Sequence, residues 1–177
     1  MEPLLHFTIP FVVLVLAGIH VRKALPISAL TLIPDLDVLF HIHKSISHSI
    51  TIPMAVAMLL LLRRRVMDRN VVATSLLAVC SHSILDVFTG YTPIFWPLFV
   101  ESIWLQVDVW GHMGSSLGFD PSCRILAEPS SFVPFQSLDA PLLTGDGLIV
   151  SAMLLTPLFL RGLRKSVKAL HTARQSS

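Results

Sequence analysis

Pro34-Asp35-Leu36-Asp37-Val38-Leu39-Phe40-His41-Ile42-His43-Lys44-Ser45-Ile46-Ser47-His48-Ser49 decides how this chain is read. Two acids, three histidines and a lysine are crowded together in a chain that is 53% hydrophobic and 14% charged. Asp35 and Asp37 interrupt an apolar run that begins near Ala24. A carboxylate in such a run is costly unless it is paired, coordinated or hydrated, so acids kept there point to function. The rest of the chain is read as holding this stretch in place or completing it.

The 177 residues suffice for one domain of ordinary size. A mean hydropathy of +0.73 is too high for a typical soluble domain and fits a polytopic membrane protein. We therefore expect an all-α fold: one integral membrane domain over residues 1–177, a bundle of about five transmembrane helices. At about 20 residues per crossing, the spans fall near residues 3–21, 24–42, 49–62, 71–99 and 142–160. Pro26 and Pro34 kink the second, and Pro34 does so where the acids begin. The alternative for that stretch is a re-entrant hairpin lining a protein cavity. No basic residue precedes the first run, and Arg22-Lys23 follow it in place of a small-residue cleavage site. It reads as a retained helix and not as a signal peptide. Gly90 and Pro93 end the fourth helix, leaving Ile94 to Phe99 as an interfacial turn with Trp96 at the headgroups. Residues 100–141 form the one long loop. Ile103 to Trp110 has the character of a short strand or hairpin, weakly alternating, and the remainder reads as an irregular cap rich in Pro, Ser and Gly. The basic tail, 161–177, frays after about Leu170. Cys80 and Cys123 make neither a disulfide framework nor a zinc-binding pair.

Charge sets the expected orientation. Arg22 and Lys23, then Arg63, Arg64, Arg65 and Arg69, then Arg161, Arg164, Lys165, Lys168 and Arg174 follow alternate spans. With five crossings these eleven of the 13 Lys and Arg residues share one side, which the positive-inside rule makes cytoplasmic. The protein is thus expected to be a multi-pass cell-membrane protein. Its N-terminus, the 100–141 loop and the polar cluster are extracytoplasmic, and its C-terminus is cytoplasmic.

A second polar element, His82-Ser83-Ile84-Leu85-Asp86, puts an imidazole and a carboxylate one helical turn apart on one face. That spacing suits a shared metal ion, and Thr89, a further turn along, is placed to orient Asp86. At about 1.5 Å per residue, His6, Asp35, Asp37, His43, His48, His82 and Asp86 lie at similar depth, although they come from four pieces of chain. All seven are candidate metal ligands. Mixed His and Asp donors without thiolate suit divalent Zn²⁺ first, with Mn²⁺ or Fe²⁺ as alternatives. Seven exceed the needs of one tetrahedral ion, so two or more ions are expected. Paired ions suit displacement at phosphorus. Asp37 is the candidate bridging ligand or general base, and Lys44 the candidate electrostatic stabiliser of a phosphate oxygen.

Other polar residues read as structural. His20 is interfacial, His41 is left out of the ligand set, and Asp108 and His112 are solvated loop residues. Asp146 caps or pairs with the dipole of the last helix. Trp104 and Trp110 are interfacial anchors.

In order, His6, Pro34-Asp35-Leu36-Asp37, His43-Lys44-Ser45-Ile46-Ser47-His48-Ser49 and Ser81-His82-Ser83-Ile84-Leu85-Asp86-Val87-Phe88-Thr89 resemble the membrane-bound metal-dependent hydrolases. This is the YdjM-like family of LexA-binding, inner-membrane-associated hydrolases. The resemblance covers roughly residues 1 to 100. Lys44 stands where the family usually has Arg, which loses bidentate phosphate geometry, and Ser47 stands where it has Thr. The resemblance implies a metal-dependent hydrolase, and the His-x-x-x-Asp pattern is more distantly similar to zinc-dependent phospholipase C. Together these imply a phosphoester in a lipid-like or small substrate, with membrane lipids as partners. Nothing in the sequence reads nucleic acid, so no nucleic-acid partner is expected. Two other classes remain open: an ion or metal transporter using the same ligands in transit, and a non-catalytic membrane protein with a structural metal.

Overall fold

A computed structural model describes residues 3–63, 68–113, 117–137 and 143–175 of the chain, the last thirteen of these as helical backbone only. Arg64, Arg65, Pro141 and Leu142 lie outside the described residues, as do the side chains of Arg164, Lys165, Lys168 and Arg174. Within them are five α-helices, three short 3₁₀ helices and one antiparallel β-hairpin. The fold is therefore mixed, and the expected five-span all-α bundle is not what forms.

The chain first runs away from the polar cluster and then returns. α1 (Pro3–Leu16) carries His6 at its start. α2 (Val21–Ala29) reverses direction, with the His20 Nδ1 capping it by accepting from the Arg22 N–H at 3.2 Å. Leu14, Ala24 and Ile27 meet Ala78 in a small apolar core beneath the cluster. The return leg is not a kinked span. α2 gives way to 3₁₀ helices at Leu30–Leu32 and Pro34–Phe40. Pro34 lacks the amide that an α-helix would use, and the backbone adopts i→i+3 bonds, as from Leu36 N to the Ile33 carbonyl. His41 and Lys44, both with φ in the left-handed region (57° and 54°), then turn the chain.

α3 (Thr51–Leu62) leads away from the cluster, and α4 (Arg69–Val87) leads back to it. Asp68 caps α4 by accepting from the Asn70 N–H at 2.8 Å. α5 (Gly145–Gln175) packs on α1 and continues well past Leu170, where fraying was expected. Thr144, not Asp146, caps it through the Gly147 N–H at 3.1 Å, and Asp146 lies in its first turn.

The 100–141 loop holds the largest departure. β1 (Glu101–Met113) and β2 (Leu117–Pro129) pair along their full length. Pro121 and Pro129 made the second half read as irregular. In a two-stranded ribbon every strand is an edge, so a residue without an amide hydrogen is tolerated.

Among the described residues, two helices are long and apolar enough to cross a membrane: α4, and α5 from Gly145 to Gly162. Most of each of these two stretches is exposed. α1 and α3 are apolar but shorter. The exposure pattern is inverted. Among the described residues, prolines aside, fourteen polar side chains are buried against nine apolar ones, and Leu39, Phe40, Leu62, Leu77, Met153 and Phe159 are among many exposed apolar residues. Five of the fourteen, His6, Asp37, His48, His82 and Asp86, belong to the polar cluster.

Candidate metal centre

All seven side chains expected as ligands converge. α1 brings His6 against the end of α4, where its Nε2 lies 3.2 Å from Asp86 Oδ1 and its ring 4.2 Å from that of His82. Thr31 fixes this end of α1, with its hydroxyl 2.8 Å from the His6 carbonyl. The 3₁₀ helix at Pro34–Phe40 supplies Asp35 and Asp37, the loop after it supplies His43, and a last 3₁₀ turn, Ile46–His48, supplies His48. His48, His82 and Asp86 have fully buried side chains; Asp35 (17% exposed) and His43 (23%) are the most open of the seven. Access to the cluster is therefore on the Asp35–His43 side.

Four atoms form its centre. His48 Nε2 lies 3.6 Å from Asp35 Oδ1 and 3.3 Å from Asp86 Oδ2. His82 Nε2 lies 3.5 Å from Asp35 Oδ1 and 3.6 Å from Asp86 Oδ2. These contacts are short, yet none of the four atoms makes a hydrogen bond, and all are buried. Buried polar atoms are nearly always bonded, so four orphans facing one another need an explanation. The four His–Asp separations of 3.3–3.6 Å are short enough for donors that share one ion at bond lengths of about 2.0–2.1 Å. The residues thus fit a divalent metal on geometry. They also fall into two adjoining groups, His6/His82/Asp86 and Asp35/His43/His48, each able to bring three donor atoms within 4.8 Å of one another. His/Asp clusters able to hold a metal ion are therefore present.

Asp37 stands apart. Its Oδ2 accepts from the Ser45 N–H at 2.8 Å and lies 3.2 Å from His48 Nδ1, on the far side of that ring from the four-atom centre. Ser47 Oγ is 3.0 Å from the same oxygen. This is the outer partner that a ligating imidazole needs, fixing the tautomer that leaves Nε2 free. The expected bridging ligand or general base is placed as an orienter of His48. Its Oδ1, 3.9 Å from His43 Nδ1, is buried and unbonded.

Lys44 is also placed differently from expectation. Its Nζ donates to the Asp86 carbonyl (3.3 Å), Thr92 Oγ1 (3.3 Å) and Thr89 Oγ1 (3.5 Å). It therefore caps the C-terminal end of α4, where a cation meets the negative end of the helix dipole. Thr89 donates to the Asp86 carbonyl at 3.1 Å and lies 3.4 Å from its Oδ1, as expected of an orienting group.

Electrostatics in the Pro34–Ser49 stretch follow from this packing. Burial works against the ionised forms of Asp35 and Asp37 but is outweighed. The close approach and charge of His48 and His82 hold Asp35 well below the usual carboxylate range, and His43, His48 and the Ser45 amide do so for Asp37. Burial lowers the His48 pKa, yet Asp35, Asp37 and Asp86 outweigh it and push it up to about 10.

The remaining polar residues stay apart from the cluster. His41 faces Phe135, with rings 5.8 Å apart. His112 and Asp120 pair at 2.8 Å, and Arg124 and Asp108 at 3.8 Å; they are solvated as expected, but on hairpin strands and not in a loop. Sequence reading assigned no role to Ser45, Ser47 or Thr92. The serine spacing in Ser45-Ile46-Ser47-His48 was the available signal, since Ser and Thr beside a histidine and a turn bond locally.

Comparison of the chain with protein-family models, with curated proteins and with solved structures finds no match.

Proposed function

We propose that this protein is a membrane-embedded metal-dependent hydrolase acting on a phosphoester in a lipid or amphiphilic substrate. The observation that carries the reading is the set of four buried, unbonded donor atoms whose four His–Asp separations are 3.3–3.6 Å. Asp35, His48, His82 and Asp86 would hold the metal, and His6 and His43, one in each adjoining group, would supply the further donors for a second ion. The donors favour Zn²⁺, with Mn²⁺ or Fe²⁺ as alternatives. When bound, the metal supplies Lewis-acid activation of water and of a phosphoryl oxygen. The chain's own residues do the rest. Asp37 holds the His48 ring at Nδ1 so that Nε2 is aimed inward, and Lys44, Thr89 and Thr92 fix the end of α4 that carries Asp86.

A substrate with an apolar part is supported by a cavity of about 350 Å³ between α3 and α4. Its walls include Ile52, Val56, Leu60, Val72, Leu76 and Val79. Pro34 and Ser47 also line it, and Ser47 bonds Asp37. An alkyl chain seated there has its polar end beside the cluster. The inverted exposure of α4 and α5 supports a membrane setting. Arg69 lies about 26 Å along α4 from Asp86, which favours the basic ends in the cytoplasm and the cluster outside it. The apolar core of Leu14, Ala24, Ile27 and Ala78 beneath the cluster favours a one-sided site over a transit path.

The test is metal content of purified protein together with turnover of a panel of lipid phosphoesters, for wild type, Asp35→Asn and His82→Ala. Stoichiometric metal and turnover are expected in the wild type and loss of both in the variants. Full metal in both variants with no substrate turned over would remove the enzyme reading.

A further inference from the structure

α1 and α5 part as they run away from the polar cluster. Residues 147, 151, 155, 158 and 159 lie on one face of α5, at successive helical turns. Gly147 and Ser151 are buried, Leu155 is 38% exposed and Phe159 68%. α5 packs chiefly on α1, so this face loses its cover from Leu155 onward. Between the two helices is a cavity of about 790 Å³, lined by residues 11–21 from one side and 155–162 from the other. Phe11, Val15, Leu158 and Phe159 are among its apolar walls. None of the seven residues of the metal cluster lines it, and Leu16 lies about 15 Å along α1 from His6.

Two cavity side chains supply donors for an anion. His20, beyond the end of α1, and Arg161, about 9 Å along α5 from Leu155, both line the end farther from the cluster. His20 Nδ1 accepts from the Arg22 N–H at 3.2 Å. The hydrogen of the neutral ring is then on Nε2, which is left as a donor. Arg161 brings a guanidinium, whose fork matches two phosphate oxygens. Arg22 and Lys23, exposed and next to His20, add to the positive field. Among the described residues, no carboxylate lines the cavity, and none pairs with His20, Arg22, Lys23 or Arg161.

A hollow with apolar walls and a cationic end takes a ligand with an apolar chain and an anionic head. Pockets for a single ligand hold about 300–1,000 Å³, which includes this one, whereas a protein partner docks over a broad face of about 800 Å². Basic pockets between membrane helices bind anionic lipid head groups. We infer that one anionic phospholipid resides between α1 and α5, with its phosphate at His20 and Arg161 and an acyl chain among Phe11, Val15, Leu158 and Phe159. Placed there, it ties α5 to α1 away from the metal cluster, as a resident ligand and not as a substrate. The inference shares only its membrane setting with the proposed function. Lipid retention is read without metal or turnover, so failure of either leaves the other standing.

The test uses full-length protein, delipidated in a neutral detergent. It is titrated with palmitoyl-oleoyl phosphatidylglycerol and, separately, with phosphatidylcholine of the same chains, and bound lipid is counted by native mass spectrometry. One phosphatidylglycerol per chain is expected, with phosphatidylcholine held far more weakly. Inorganic phosphate in large excess is expected not to displace the lipid. Arg161→Gln, a change at an exposed residue, is expected to weaken phosphatidylglycerol about tenfold, as for one charged hydrogen bond, and to leave metal content unchanged. Leu158→Trp fills the apolar wall and is expected to exclude the lipid; should it not fold, Arg161→Gln decides alone. The inference is overturned if both lipids are held alike, if Arg161→Gln binds phosphatidylglycerol as wild type does, or if folded Leu158→Trp retains it. Displacement by inorganic phosphate overturns it too, since the site then takes a free anion. So does a wild type that retains no lipid, whether as a monomer or as a dimer whose second copy fills the wedge.

Discussion

The two groups that make up the buried cluster are built on different backbones. His6, His82 and Asp86 hang from α1 and α4, where regular hydrogen bonds and packing on Leu14 and Ala78 set their positions. Asp35, His43 and His48 hang from 3₁₀ turns and a loop, with left-handed backbone at His41 and Lys44 between them. The helical group is positioned by secondary structure. The irregular group is positioned by side chains: Asp37 on the Ser45 amide and on His48, Ser47 against Asp37, and Lys44 on the end of α4. The difference implies two kinds of sensitivity. Changes to donors on the helices remove binding outright, whereas changes to the supports of the irregular group loosen it by degrees.

The largest effect tests the helical group. In Asp86→Asn and His82→Ala, tightly held metal is expected to fall to background by elemental analysis. Each residue belongs to the four-atom centre, and Asp86 also faces His6. Stoichiometric metal in either variant breaks the comparison at its stronger half.

Asp37→Asn tests the irregular group. Loss of an outer partner of a ligating histidine costs about 10–100-fold in metal affinity, with the ion still bound at saturation. A competition titration with a chromophoric chelator measures this. If the variant behaves like Asp86→Asn instead, Asp37 is itself a ligand through its unbonded Oδ1, and the two groups are less different than the backbone suggests.

A smaller, graded effect comes from pH. Asp35, Asp37 and Asp86 raise the His48 pKa from 6.5 to about 10. The imidazolium stabilises the metal-free fold fully below 6.5 and loses that contribution as pH rises through about 10. The same proton competes with a metal. Affinity is therefore expected to rise about tenfold per pH unit through neutral pH, with about one proton released per ion bound at this group. Calorimetry in buffers of differing ionisation enthalpy reads that proton, and binding without release contradicts the placement of His48 among the ligands.

How much of this was legible follows the same division. The His82/Asp86 spacing is a helical signal, and it survived because α4 is a regular helix. The apolar runs also gave α3 and α4 close to their final bounds. Asp35, Asp37, His43 and His48 were legible as candidates but not as roles, because which acid coordinates and which supports depends on tertiary turns that no period encodes. Counting spans failed for one reason: apolar runs measure burial preference and not helix length. The run from Ala24 to Ile42 is broken by Pro34 into 3₁₀ turns, and α1 stops at Leu16. The hairpin was half legible. β1 alternates weakly because Trp104 and Trp110 sit on its charged face, and β2 carries prolines that only an edge strand accepts.

The smallest expected effect concerns Lys44, where sequence and structure assign different work to one charge. As a cap on α4, Lys44→Met removes a cation from the helix C-terminus and leaves the Asp86 carbonyl with its backbone partners and the Thr89 hydroxyl. A loss of about 1 kcal/mol is expected, as for a charge at a helix end, with metal content unchanged. Amide exchange should accelerate over the last turn of α4 and not elsewhere. Lys44→Arg should not fully restore the end. Gly90, at φ 153°, leaves so little space that even a Cβ there would sit 3.3 Å from Nζ, and a guanidinium is wider than an ammonium. If instead Lys44→Met leaves α4 exchange unchanged and abolishes turnover, the charge acts on a phosphate, and the supports of the irregular group are Asp37 and the serines alone.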